Sequence, residues 1–188
     1  MTRSHVALWL ACLAPPHWLA AQGRAVSAPP ELRVPASTAY LAPDPDGTRV
    51  AGDRYVAPFG RPESSLLWFG AFTRSGTVST GIVLTVPRGD TVTLRLTASR
   101  EPRDGMRAEH VEVVVVGTDS SMRVPFGAFS IAAPGYTRFA LGAPGRKSAP
   151  AVRVAALLLD GAPVTDALFN LDPRRNAASV HLRYPTDS

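Results

Sequence analysis

The chain has 188 residues and a formal net charge of +5 at pH 7, and its length indicates one domain after removal of an export signal. Its bases are arginines apart from Lys147, and they are interspersed with acids without forming a basic block. This pattern argues against nucleic acid as a partner, because nucleic-acid-binding proteins usually carry a basic stripe or a recognisable motif.

The first predicted element is an export signal over residues 1–21, followed by a linker over residues 22–30. Arg3 precedes a short apolar run, Val6–Leu13, and small residues follow, which is the pattern of a cleaved secretory signal peptide. The run is far shorter than the ~20 residues that cross a bilayer as a helix, so we expect no membrane span. We therefore expect a secreted or periplasmic protein, the alternative being a lipid anchor on Cys12.

Residues 31–185 alternate short β-branched or aromatic segments with Gly, Pro, Asp and Ser, which is typical of an all-β domain. Pro87–Asp90 is predicted to be a hairpin turn between Ile82–Val86 and Thr91–Thr97. Val111–Val116 is mostly valine, which favours a strand covered on both faces. We expect about nine to eleven strands in a two-sheet antiparallel β-sandwich, with a jelly roll as the favoured topology. The other predicted strands lie within Leu32–Leu41, Arg54–Val56, Leu66–Phe72, Phe126–Ile131, Tyr136–Leu141, Val152–Leu159 and Ala178–Tyr184.

Side chains suited to catalysis or metal binding are sparse. After the signal the chain has no cysteine and only two histidines, His110 and His181, and it lacks the common zinc, phosphate-loop, dinucleotide and nucleophile-elbow motifs. We therefore expect a protein that is not an enzyme and that holds no cofactor or metal. Asp44–Gly47 suits either a Pro-Asp-Gly turn or a calcium site built from oxygen atoms, and we favour the turn.

A glycosidase is the enzymatic alternative, and it needs two carboxylates that face each other across a cleft. Most acids of this chain lie in predicted turns or on polar strand faces, where carboxylates are usually solvated. The pattern therefore does not single out a catalytic pair. The acids considered are Asp53, Glu63, Asp104, Glu109, Glu112, Asp160 and Asp172.

Two parts of the chain have a composition suited to sugar binding. Residues 169–185 place arginine and asparagine, which can pair with sugar hydroxyls, beside aromatic residues. An exposed Trp68 would stack on a sugar ring. The structural alternatives are that Asn176 caps a turn, that His181 lies on a solvated strand face, and that Trp68 belongs to the core. Tyr136 follows a Pro-Gly pair and is expected to pack against the edge of the core.

Three segments carry a resemblance to a known family. Val34–Leu41, Pro134–Tyr136 and Arg174–Leu182 together resemble domain of unknown function 5077, which occurs in exported bacterial proteins. Gly127–Phe129, followed by Pro134–Tyr136 and an apolar strand, is similar to the late strands of family 6 and family 35 carbohydrate-binding modules, which are jelly rolls. The chain lacks the glutamate-rich first strand that supplies calcium ligands in those modules.

The resemblance implies an exported, non-catalytic module that binds a poly- or oligosaccharide. In such a module Trp68 would stack on a sugar, and the other candidate residues would form hydrogen bonds with it. The alternative function is a structural or interaction domain that docks another exported, carbohydrate-active protein. The candidate ligand-binding residues are Trp68, Asn170, Arg174, Asn176 and His181.

Overall fold

The structure is a computed structural model that describes residues 31–42, 49–51, 55–59, 64–100, 108–144 and 152–172. Within these ranges, no helix has the length and apolar character needed to cross a membrane. Several predictions concern residues outside the described ranges. These are the export signal and linker, Cys12, the Asp44–Gly47 turn, the strand Ala178–Tyr184, and the acids Asp53, Glu63 and Asp104.

The described residues form twelve strands in two six-stranded antiparallel sheets. The first sheet has the order β3-β4-β11-β6-β9, and β1 also pairs with β11. The second sheet has the order β12-β5-β10-β7-β8, and β2 also pairs with β5. Strands of the first sheet are β1 (Leu32–Pro35), β3 (Arg49–Ala51), β4 (Tyr55–Phe59), β6 (Gly76–Thr85), β9 (Met122–Ile131) and β11 (Val152–Asp160). Strands of the second sheet are β2 (Tyr40–Ala42), β5 (Ser65–Phe72), β7 (Thr91–Ser99), β8 (Glu109–Val116), β10 (Gly135–Gly142) and β12 (Leu168–Phe169).

Most consecutive strands lie in opposite sheets, which is the jelly-roll arrangement that the sequence favours. The prediction that Pro87–Asp90 joins a hairpin is therefore wrong, although the turn itself is present. The Asp90 amide donates to the Pro87 carbonyl at 3.1 Å, and Gly89 has a φ of 87°. The turn carries the chain from β6 in the first sheet to β7 in the second. Its local chemistry is the same in both cases, so the sequence pattern could not distinguish them.

The core lies between the sheets and is built from the inward side chains of alternating strands. On β7, Val92, Leu94 and Leu96 are buried while the residues between them are more exposed. On β5, Leu66 and Trp68 are buried in the same alternation. Each large aliphatic side chain removed from water in this way contributes about 1.5–3 kcal/mol. A core of this kind holds the two sheets together.

Strand β8 corrects one prediction about burial. Val114 and Val116 are 64% and 65% exposed, so the valine-rich strand is not covered on both faces. It lies at the end of the second sheet and, among the described residues, pairs with β7. Valine favours the extended backbone whichever face it occupies, and a run of valines therefore hides the usual alternation of apolar and polar residues.

Candidate functional site

The candidate site is the outer face of the second sheet, the face that points away from the core. Residues directly opposite each other in an antiparallel pair project to the same face. Tyr40 on β2 is opposite Leu67 on β5, and Tyr136 on β10 is opposite Ala71 on β5. Phe69 lies between Leu67 and Ala71 and shares their face, because side chains on a strand alternate. One face therefore collects three aromatic residues from three strands.

We call Tyr40, Phe69 and Tyr136 the aromatic diagonal. Tyr40 is opposite Leu67 and Tyr136 is opposite Ala71, and each of these partners is two positions from Phe69 on β5. Phe69 is therefore a diagonal neighbour of both tyrosines, with Cα separations of about 7–8 Å. The Cα atoms of Tyr40 and Tyr136 are consequently about 16 Å apart, because two strand spacings across the sheet and four residues along it separate them. Tyr40 is 61% exposed and Tyr136 is 54% exposed, whereas Phe69 is half-buried.

Apolar residues border the aromatic diagonal. Leu67 and Ala71 are half-buried on β5. Leu168 on β12 is opposite Ala71 and is 71% exposed. The sequence places Leu168 there because the next residue, Phe169, packs inward against the ring of Phe72 with a centroid distance of 5.8 Å. Strand alternation then sends Leu168 to the outside.

Polar residues lie on the part of the outer face that continues from Phe69 across β10, β7 and β8. Arg138 on β10 is opposite Phe69 on one side and Ser99 on the other. Its Nε donates to the Ser99 hydroxyl at 3.2 Å. Beside this pair, Thr97 on β7 is opposite the exposed His110 on β8. The face therefore has hydroxyl, guanidinium and imidazole groups next to the aromatic diagonal, a combination that can form hydrogen bonds with a polar ligand.

The outer face holds one carboxylate among the described residues of its strands. Glu112 on β8 is opposite Arg95 on β7, and the Arg95 Nε donates to the Glu112 carboxylate at 2.6 Å. Glycoside hydrolysis requires two carboxylates that act together, and this part of the face presents only one, already ion-paired.

Several other acids of the described residues lie elsewhere and have partners of their own. Glu109 on β8 accepts from the Ser130 amide of β9 at 3.2 Å. In the described ranges, no group of three or more His, Cys, Asp or Glu side chains is placed to hold a metal ion. Further acids with partners include Glu31 with Arg123, Asp119 with Arg88, Asp166 with Arg74, and Asp160 with the Gly161 amide.

Two of the predicted site residues, Trp68 and Asn170, lie within the described ranges, the first in the core and the second at a sheet edge. Trp68 is 2% exposed, and its indole N–H donates to the Pro35 carbonyl at 3.1 Å. It offers no surface for stacking, so its proposed role as a sugar platform is corrected to that of a core residue. Asn170 is half-buried directly after β12, at the edge of the second sheet, and its side-chain oxygen accepts from the Asp172 amide at 3.2 Å. The other predicted site residues, Arg174, Asn176 and His181, lie outside the described residues.

The sequence analysis did not predict a ligand-binding role for the residues of the aromatic diagonal or for Arg138. Tyr136 is exposed and does not pack into the edge of the core, contrary to the prediction. Strand alternation indicates that Phe69 and Trp68 face opposite ways, and the burial of Trp68 in the structure shows that Phe69 is the outer one. Tyr40 gave no such signal, because the short helix Ala36–Thr38 before β2 interrupts the alternation.

No family model matches the chain, and no curated protein matches it. The resemblance to domain of unknown function 5077 is therefore not confirmed and stays a prediction.

Solved structures do match the fold. A CBM36-1 domain of a multidomain xylanase from the hindgut metagenome of Trinervitermes trinervoides is similar over 72% of this chain and 100% of that chain, with 15% identity and a TM-score of 0.55. A family 35 carbohydrate-binding module from Clostridium thermocellum is similar over 71% and 99%, with 14% identity and a TM-score of 0.51. In the Podospora anserina GH26-CBM35 β-(1,4)-mannanase the similarity covers 71% of this chain but only 28% of that enzyme, with 14% identity and a TM-score of 0.52.

The chain spans less than a third of the multidomain enzymes that it matches first, and nearly all of the two isolated modules. At these identities the similarity concerns the fold. The two-sheet antiparallel jelly roll expected from the pattern of the strands is confirmed, and it is also the fold of these carbohydrate-binding modules.

Proposed function

We propose that this chain is a non-catalytic carbohydrate-binding module that holds a poly- or oligosaccharide on the outer face of its second sheet. The observation that carries the proposal is the aromatic diagonal, in which Tyr40 and Tyr136 are exposed on either side of Phe69. Aromatic rings cover the apolar faces of pyranose rings, and a tyrosine hydroxyl adds a hydrogen-bonding group at the rim. A row of such rings about 16 Å long is suited to more than one sugar unit.

The polar residues beside the aromatic diagonal would orient a bound sugar. Arg138 is directly opposite Phe69, Ser99 is opposite Arg138 on the next strand, and Thr97 and His110 follow on the same face. Hydrogen bonds from such groups fix which edge of a stacked sugar faces the sheet. The aromatic diagonal would supply contact area, and these polar groups would supply selectivity.

The residues that follow β12 extend the proposal. Asn170 lies at the edge of the second sheet, beside the strand that carries Phe69. We keep Asn170 as a proposed hydroxyl-binding residue, together with Arg174, Asn176 and His181 further along the chain. Export through the signal over residues 1–21 also belongs to the proposal, because an extracellular or periplasmic location would give the module access to polysaccharides.

Affinity electrophoresis in gels that contain soluble polysaccharides tests the proposed site. Replacing Tyr40 and Tyr136 by alanine removes the exposed rings. The affinity derived from the retardation is therefore expected to fall at least tenfold, which corresponds to about 1.4 kcal/mol of binding free energy. Tyr55→Ala is the matched control, because Tyr55 belongs to the first sheet, where it stacks under Arg153 at 5.3 Å. An unmodified protein that no polysaccharide retards would refute carbohydrate binding.

A protein-docking domain is the alternative function. The exposed apolar side chains Leu168, Val114 and Val116 on the second sheet favour it, because a partner protein could cover them. Co-purification from native culture medium distinguishes the two functions. A stoichiometric exported partner that the Leu168→Ser variant loses would support docking, whereas a glycan-bound protein with no partner would support the module.

A further inference from the structure

The centre of the proposed sugar-binding face carries an arginine that has no acidic partner among the described residues. Arg138 is exposed and is directly opposite Phe69, and the hydrogen bond from its Nε goes to the neutral Ser99 hydroxyl. The residues around it on the same face are Tyr136, Ala140, Leu67, Ala71 and Thr97, none of which is charged. A positive charge therefore lies beside the aromatic diagonal with neutral neighbours.

Other arginines of the described residues show that acids are available to this chain. Arg95, two residues from Thr97 on the same face, is neutralised by Glu112 at 2.6 Å. Arg88 pairs with Asp119 at 3.5 Å. Arg74 and Arg123 also have carboxylate partners, Asp166 and Glu31. The ion pair of Arg95 removes the one negative charge that the described strands place near Arg138, and the face keeps a net positive charge at its centre.

We infer that the outer face of the second sheet selects an anionic glycan, with Arg138 as the residue that binds the anionic group. This inference rests on the proposed function. The guanidinium fork matches two oxygens of a carboxylate or a sulfate, and an ion pair of this kind is stronger where neighbouring rings exclude water. A sugar stacked on Phe69 would present its edge to Arg138, because Phe69 and Arg138 are direct cross-strand partners. An acidic substituent on that edge would therefore lie beside the Arg138 guanidinium.

Matched pairs of acidic and neutral polysaccharides test the selectivity. The pairs are polygalacturonate against its methyl ester, carboxymethylcellulose against hydroxyethylcellulose, and dextran sulfate against dextran, so the backbone is constant within each pair. Dissociation constants measured by affinity electrophoresis at low and moderate salt are expected to favour the acidic member by about tenfold in at least one pair. The first two pairs report carboxylates and the third reports sulfate, which identifies the preferred anion.

Substitutions at Arg138 and Arg33 separate a specific ion pair from general attraction to a positive protein. Arg138→Gln is expected to abolish the preference for the acidic member, and Arg138→Lys to restore only part of it, because lysine lacks the planar fork. Arg33→Gln removes an exposed charge from the outer side of the first sheet and is expected to leave the preference unchanged. The Tyr136→Ala variant is expected to weaken the acidic and the neutral member alike.

The outcomes distinguish this inference from the proposed function. Equal binding of both members of every pair, or an equal loss of preference in Arg33→Gln and Arg138→Gln, overturns the selectivity and leaves carbohydrate binding in place. Failure of the unmodified protein to bind any member overturns the proposed function itself. A preference that Arg138→Gln alone removes supports both.

Discussion

At Thr137 a buried hydroxyl lies on the inner face of β10, and it has no hydrogen-bond partner among the described residues. Burying a hydroxyl without a partner costs free energy, and valine has the same shape without that cost. Thr137→Val is therefore expected to raise the free energy of unfolding by about 1 kcal/mol, as measured by urea denaturation. Thr80→Val is the control with the opposite sign, because the Thr80 hydroxyl donates to the Gly127 carbonyl at 3.2 Å. Destabilisation of similar size in both variants would contradict this account.

Single residues also show what the sequence could and could not provide about the site. Strand alternation is a local property, so it correctly predicts that Val92, Leu94 and Leu96 share one face. It does not say which face is the inner one where both are apolar, as on β5, where Trp68 is buried and Phe69 is on the outer face. The stacking role assigned to Trp68 failed for this reason, since tryptophan suits both a core and a binding surface.

At the scale of elements, the short strand β12 packs closely on β5 where Phe169 is opposite Gly70. A Cβ added at Gly70 would lie 2.1 Å from the Phe169 ring, so glycine is required for Phe169 to reach the core. Phe169 also contacts the ring of Phe139, with a centroid distance of 6.4 Å. Gly70→Ala is expected to displace Phe169 and to lower the free energy of unfolding by about 1–3 kcal/mol in urea denaturation.

Gly142→Ala is the control for that prediction. Gly142 lies on the same face of the neighbouring strand β10 as Ser65 on β5, and an added Cβ there would meet the nearest atom, the Ser65 hydroxyl, at an ordinary 3.7 Å. The expected change is within about 0.5 kcal/mol, as for most substitutions away from tight packing. A Gly70→Ala protein as stable as Gly142→Ala would show that Phe169 does not anchor β12.

Elements were easier to predict than their pairing. The sequence indicated most strands of the described residues, with boundaries that differ from the structure by up to six residues, because propensity and punctuation are local. It did not indicate the short strands β3 and β12, and it placed a single strand within Leu32–Leu41, where the structure has β1 and β2. Pairing depends on contacts between distant segments, and Pro87–Asp90 illustrates the difference, since it forms the predicted turn but connects the two sheets. The prediction that β8 is covered on both faces is wrong for the same reason, because the rest of the sheet sets the position of β8 at the sheet edge.

At the scale of the whole molecule, the two-sheet antiparallel fold follows from the sequence and agrees with solved carbohydrate-binding modules. The location of the candidate face did not follow from it. Tyr40, Phe69 and Tyr136 come from three strands that are distant in sequence, and only the register of β2, β5 and β10 brings them together. Fold alone does not fix function, so the aromatic diagonal carries the functional argument.

The most direct test of the central claim is an NMR titration of the protein with a polysaccharide that retards it in an affinity gel, monitored at the aromatic side chains. The ring resonances of Tyr40, Phe69 and Tyr136 are expected to shift or broaden together as the glycan is added, because these rings share one exposed face. The resonances of Tyr55, on the first sheet, are expected to stay unchanged. Glycan-induced shifts that spare all three rings of the aromatic diagonal would contradict the account.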